Sequence, residues 1–120
     1  MYILGIESSC DDSAVAIIND KGEILINLLS SQINDHIPYG GVVPELAARK
    51  HLDNLPTLLE LAFAKLSLKT SDIDLICATG GPGLIGGVVI GTTIAKTLAH
   101  CLHKPFIAVN HLLGHALCAR

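Results

Sequence analysis

With 120 residues the chain is long enough for one domain with a real core, and half of it is hydrophobic. Only 3% is aromatic and Trp is absent, so that core must be built from Ile, Leu, Val and Ala. A net charge of −3 excludes an overall positive field for nucleic acid, and the one basic cluster, Arg49-Lys50-His51, reads as a solvated helix face.

Residues 2–6 are an apolar run of strand length. Met1-Tyr2-Ile3-Leu4 leads straight into an acidic turn and does not read as a secretory signal. The polar turn Glu7-Ser8-Ser9-Cys10-Asp11-Asp12-Ser13 follows, and residues 14–18 resume strand character. Asn19-Asp20-Lys21-Gly22 signals a second turn before a third strand over residues 24–29. Two short connections in succession predict an antiparallel β-meander.

Residues 30–43 are the least regular, and Pro38-Tyr39-Gly40-Gly41 predicts an exposed, mobile loop. Pro44 suits a first helical position, and Glu45 suits the positive end of the helix dipole. Ala48, Leu52, Leu55, Leu59, Ala62 and Leu66 form an amphipathic stripe, which Pro56 is expected to kink or split.

Residues 73–79 read as a buried strand, Gly80-Gly81-Pro82-Gly83 as a turn, and residue 84 to about residue 103 as a second helix. Residues 75–95 carry no charge and resemble a membrane span, but the glycine turn breaks them into strand and helix. Pro105 ends the connection to a short strand over residues 106–109, after which Asn110 is a strong N-cap for a last helix. The order β-β-β-α-β-α-β-α predicts an α/β fold: a mixed sheet of a meander plus parallel strands, with flanking helices.

On that last helix His111 and His115 lie four apart and share one face, a standard way to offer two nitrogens to one metal ion. Two histidines near a helix start are also common without a metal, and a third ligand is needed to complete a site. A zincin-type protease is excluded, because Leu112 stands where the general base would be. Residues 7–13 could cradle a phosphate or hold a cation, or be a polar turn. Gly80-Gly81-Pro82-Gly83-Leu84-Ile85-Gly86-Gly87 is neither a P-loop nor a Rossmann fingerprint; it could bind an anion, or pack a helix closely through small residues. His36, His51, His100 and His103 share no motif spacing and read as surface or capping residues. Cys10, Cys77, Cys101 and Cys118 are far apart and fit reduced thiols in a cytosolic protein.

Three stretches, taken with Val109-Asn110-His111-Leu112-Leu113-Gly114-His115, narrow this. They are Ile3-Leu4-Gly5-Ile6-Glu7-Ser8-Ser9-Cys10-Asp11-Asp12-Ser13, Tyr39-Gly40-Gly41-Val42-Val43-Pro44-Glu45-Leu46-Ala47, and Gly81-Pro82-Gly83-Leu84. In this order and spacing the chain closely resembles the TsaD family, once labelled glycoproteases and understood as tRNA N6-adenosine threonylcarbamoyltransferases. The resemblance implies an actin-like ATPase (ribonuclease H-like) fold of two lobes. Residues 1–120 would be the first lobe, truncated, since Arg120 falls inside an uncapped helix; the second lobe would be absent.

The implied activity moves a threonylcarbamoyl group from threonylcarbamoyl-AMP to N6 of the adenosine 3′ of the anticodon. His111 and His115 match the family's two histidine ligands for a divalent metal, Fe²⁺ first and Zn²⁺ second; Asp11 matches the nucleotide-phosphate region. No catalytic side chain is assigned. The implied partners are tRNA, a TsaB-like paralogue and a TsaE-like ATPase, in the cytoplasm and with no membrane. The family usually carries Glu where this chain has Leu113, and its third metal ligand, an aspartate, lies downstream of residue 120, so the isolated fragment is expected to be inactive. The rival readings are a non-catalytic dimerisation module like the TsaB paralogue, against which the histidine pair argues, and a small-molecule kinase of the same superfamily.

Overall fold

The computed structural model describes residues 1–119; Arg120, expected to fall inside the last helix, lies outside them, and that helix ends at Leu117. The elements are β1 (Tyr2–Glu7), β2 (Asp12–Asn19), β3 (Ile24–Ser31), α1 (Ile33–His36), α2 (Pro44–Leu66), β4 (Leu75–Gly81), α3 (Ile85–Leu102), β5 (Phe106–Asn110) and α4 (His111–Leu117), with 3₁₀ turns at Ile37–Tyr39 and Thr70–Asp72. The strands form one sheet in the order β3-β2-β1-β4-β5. The meander pairs β1 with β2 and β2 with β3 antiparallel, while β4 and β5 add parallel strands beyond β1.

Alternation along the strands decides the faces. Leu4 and Ile6 of β1, Val15 and Ile17 of β2, and Ile76 and Ala78 of β4 point to one side and are buried there. Helices α2 and α3 cover that side with Leu55, Leu58, Ala62, Ala95 and Ala99. Glu7 and Thr79, being odd-numbered, point to the opposite side at the carboxyl ends of adjacent parallel strands, β1 and β4. By length and apolarity α3 could cross a membrane, with a mean hydropathy of 1.4; in the fold it packs on the sheet and on α2, burying Gly87, Val88, Gly91, Ala95 and Ala99.

Three expectations are corrected. The segment expected to be a loop folds into α1 and a 3₁₀ turn, anchored by buried Gln32 and His36. Helix α2 is not split at Pro56 but continues through it for 23 residues. An interior Pro costs about 3 kcal/mol, but Leu55 and Leu58 on either side of it are buried, each contributing about 1.5–3 kcal/mol. Packing therefore wins over propensity. The buried face is also rotated from the stripe read in the sequence: it comprises Ala47, His51, Leu55, Leu58 and Ala62, and Leu52 is exposed.

Candidate metal centre

Asn110 ends β5 and caps α4, its Oδ1 accepting the Leu113 N–H at 3.0 Å. The strand-to-helix junction thus aims the first turn of α4 over the carboxyl ends of β1 and β4. His111 and His115 project from one face of that helix, their rings edge to face with centroids 4.5 Å apart. Their Nε2 atoms converge to 3.1 Å. On the other side of the His111 ring, Nδ1 lies 3.1 Å from Ser9 Oγ and 3.4 Å from Glu7 Oε2. The Glu7 carboxylate is itself held, Oε1 accepting the Ser9 N–H at 2.5 Å and Oε2 accepting the Thr79 hydroxyl. Burial pushes the Glu7 pKa up, but the bonds from Ser9 and Thr79 and the attraction of His111 outweigh it, leaving the carboxyl below its ordinary value.

A cleft of about 630 Å³ opens beside the histidines, lined by Ser9, Cys10, Asp11, Asn110, His111 and His115 among others. Asp11 therefore shares a cleft with the histidine pair. Burial and the neighbouring Asp11 raise the Cys10 thiol above its ordinary pKa. Cys118 Sγ is turned back onto the His115 carbonyl at 3.2 Å. Among the described residues no three His, Cys, Asp or Glu side chains are grouped to hold an ion.

The glycine cluster is a packing device. Ser9 C=O accepts the Leu84 N–H at 2.7 Å, taking an amide that an anion at the start of α3 would need. A Cβ at Gly83 would lie 2.6 Å from Ser9 O, one at Gly87 2.3 Å from Ser8 O, and one at Gly91 2.0 Å from Ser8 Oγ. Helix α3 can approach the β1–β2 loop this closely only because those positions lack side chains. Ser8 secures the contact by donating its hydroxyl to the Gly87 carbonyl at 2.8 Å.

Two histidines read as surface or capping residues are buried instead, and His51 does not belong to a solvated face. Val43 N–H donates to His36 Nδ1 at 3.1 Å, so the His36 proton is on Nε2 and goes to Gln32 Oε1 at 2.9 Å. Gln32 Nε2 donates to Ala47 O at 3.3 Å and to His51 Nδ1 at 3.4 Å. Ser13 Oγ also donates to His51 Nδ1, at 2.8 Å, and His51 Nε2–H donates to Cys10 O at 2.9 Å. Every donor finds an acceptor with both imidazoles neutral. The chain of bonds ties α1 and α2 to the loop that carries Asp11. Sequence reasoning missed this network and read Glu7 only as part of the polar turn, where the structure makes it the last residue of β1, beside His111.

A mixed sheet in this strand order, with its two long helices on one side and a cleft at the carboxyl ends of its parallel strands, defines a lobe of the actin-like, ribonuclease H-like class. YeaZ from Pseudomonas aeruginosa superposes with a TM-score of 0.72 at 18% identity, over 99% of this chain and 52% of that one. T. thermophilus RuvC, in complex with Holliday junction substrate, gives 0.59 at 11% identity over 99% and 71%; at these identities the likeness is one of fold. Residues 23–120 match the TsaD family, tRNA N6-adenosine threonylcarbamoyltransferase, and the chain belongs to that family. The tRNA N6-adenosine threonylcarbamoyltransferase of Kosmotoga olearia is 57% identical over 115 residues, 96% of this chain and 34% of its own length. That of Paramagnetospirillum magneticum is 52% identical over 120 residues, the whole of this chain and 35% of its own length. The chain thus spans about a third of the length of the curated relatives it matches.

Proposed function

We propose that these residues are the first lobe of a two-lobed tRNA N6-adenosine threonylcarbamoyltransferase, an acyltransferase. It would move the threonylcarbamoyl group from threonylcarbamoyl-AMP to the adenosine 3′ of the anticodon. One observation carries the reading: in a chain of this family, two imidazole Nε2 atoms converge to 3.1 Å at the mouth of a cleft. That separation is short enough for both nitrogens to reach one ion. His111 and His115 would hold Fe²⁺, with Zn²⁺ as the alternative, since two imidazoles plus a carboxylate suit either. The bound ion would supply Lewis acidity, polarising the carbamoyl carbonyl so that the adenosine amine displaces AMP.

The chain's own residues bind and orient. Asn110 fixes the start of α4 and thereby the spacing of the two rings. Asp11, on the loop braced by His51, lines the same cleft, which supports giving it the nucleotide-phosphate role. No side chain in the cleft is poised as a general base, so positioning does most of the work. Because no three ligands are grouped among the described residues, the isolated chain is expected to hold one ion less tightly than a three-ligand site would, and to transfer nothing. With a net charge of −3, tRNA attraction falls to the second lobe and to TsaB-like and TsaE-like partners. We take the setting to be cytoplasmic, with α3 packed on the sheet and on α2.

Calorimetric titration of the chain with Zn²⁺ tests the site: one ion per chain is expected, lost in His111→Ala and in His115→Ala. Grafting these residues in place of the matching third of the Kosmotoga olearia relative tests the activity. The chimaera is expected to modify tRNA, and to stop doing so with His111→Ala. A chimaera indifferent to that change overturns the proposal.

A further inference from the structure

We infer that Glu7 is a positioning residue, the anionic partner that fixes which nitrogen of His111 faces the metal. The inference rests on the two-histidine reading and adds a residue to it. An imidazole offers a metal only the nitrogen that carries no proton, and the partner behind the ring decides which nitrogen that is. The Nε2 side of His111 faces His115 Nε2 at 3.1 Å. Its Nδ1 faces the opposite way, towards Ser9 Oγ at 3.1 Å and Glu7 Oε2 at 3.4 Å. Glu7 sits behind the ring and cannot ligate an ion held between the Nε2 atoms. From there its charge draws the His111 proton onto Nδ1 and leaves the Nε2 lone pair directed into the cleft.

The carboxylate is not free to swing into the cleft and become a ligand. The Ser9 N–H occupies Oε1 and the Thr79 hydroxyl occupies Oε2. Ser9 and Thr79 are supplied by the β1–β2 loop and by the parallel neighbour of β1, so the sheet itself aims Glu7. Among the described residues the His115 side chain bonds only to His111 Nε2. The two ligands are therefore unequal: His111 is oriented before an ion arrives, and His115 is brought to it by the helix.

The test compares wild type, Glu7→Gln and Thr79→Val in two measurements on the same chain: Zn²⁺ titration, and long-range ¹H–¹⁵N spectra of the metal-free histidines. Glu7→Gln keeps volume and an acceptor oxygen but loses the charge. It is expected to weaken Zn²⁺ about 10–100-fold and to convert His111 from the Nδ1–H form to a mixture of tautomers. Thr79→Val removes only the donor that aims Oε2, so it guards against a Glu7 variant that fails to fold; it is expected to move both readouts in the same direction by less. If wild type binds Zn²⁺ while both folded variants match it within twofold and keep Nδ1–H at His111, the role of Glu7 is overturned and the metal reading stands. If wild type binds no Zn²⁺, the metal reading fails and this inference falls with it.

Discussion

Gly87→Ala separates packing from propensity in α3. On helix propensity alone, Ala in place of an interior Gly stabilises by about 0.8–1.0 kcal/mol. In the structure the new Cβ would stand 2.3 Å from the backbone carbonyl oxygen of Ser8 and 3.2 Å from the His51 ring. Carbon and oxygen approach to roughly 3.2 Å without strain, so α3 or the β1–β2 loop must shift by about 1 Å; overpacking of this kind costs about 1–3 kcal/mol, occasionally more. Because the obstacle is backbone and not a flexible side chain, the upper part of that range applies, and a net loss of about 2 kcal/mol is expected. For a chain of 120 residues this lowers the melting temperature by about 8 °C. Gly114→Ala is the internal control, since nothing lies within 4 Å of a Cβ there; it should gain the propensity term within α4. Urea and thermal unfolding followed by circular dichroism read both. A Gly87→Ala protein as stable as wild type, or more so, would show that α3 does not need to lie this close to the loop.

His51→Phe removes the partner of the Ser13 hydroxyl and the Cys10 carbonyl; at about 1–3 kcal/mol for each stranded group, about 2–6 kcal/mol of unfolding free energy should be lost. Urea denaturation checks this, and a loss below about 1 kcal/mol would mean that the network is not a brace. Asn110→Ala should cost the α4 cap about 1 kcal/mol. Because α4 is exposed, the effect should appear locally, as roughly fivefold faster amide exchange within α4, with little change in global melting. Glu7 should make stability acid-sensitive. Its folded pKa lies below its ordinary value of 4.5, so its contribution is complete above that pH and is lost as pH falls through the folded pKa. The stability gap between wild type and Glu7→Gln should therefore close on acidification, as denaturation at stepped pH would show, and a gap that widens would reverse the sign.

Element order was legible because apolar runs are separated by strong punctuation: Asn19 to Gly22, Gly80 to Gly83, and Pro105. The histidine pair was legible because its partners are local, with the i, i+4 spacing and the Asn110 cap all inside one turn of helix. The face of α2 was not. Two overlapping series run through that helix, one through Ala48 and Leu52 and one through Ala47 and His51, and both include Leu55 and Ala62. Hydrophobicity favours Leu52, yet His51 is the residue buried. The choice is made by Ser13, Gln32 and Cys10, which come from other parts of the chain and satisfy both ring nitrogens. The pairing of Glu7 with His111 was hidden for a related reason. Its meaning depends on strand alternation placing it beside Thr79 and on α4 returning over that end of the sheet, neither of which is local.

The most direct test of the two-histidine centre is an anomalous difference map from crystals of this chain soaked in Zn²⁺. The expected result is one strong peak about 2.1 Å from both His111 Nε2 and His115 Nε2, with Glu7 still behind the His111 ring. A peak bonded to only one of the two, or to Cys10 or Cys118 in place of them, contradicts a shared metal at this cleft.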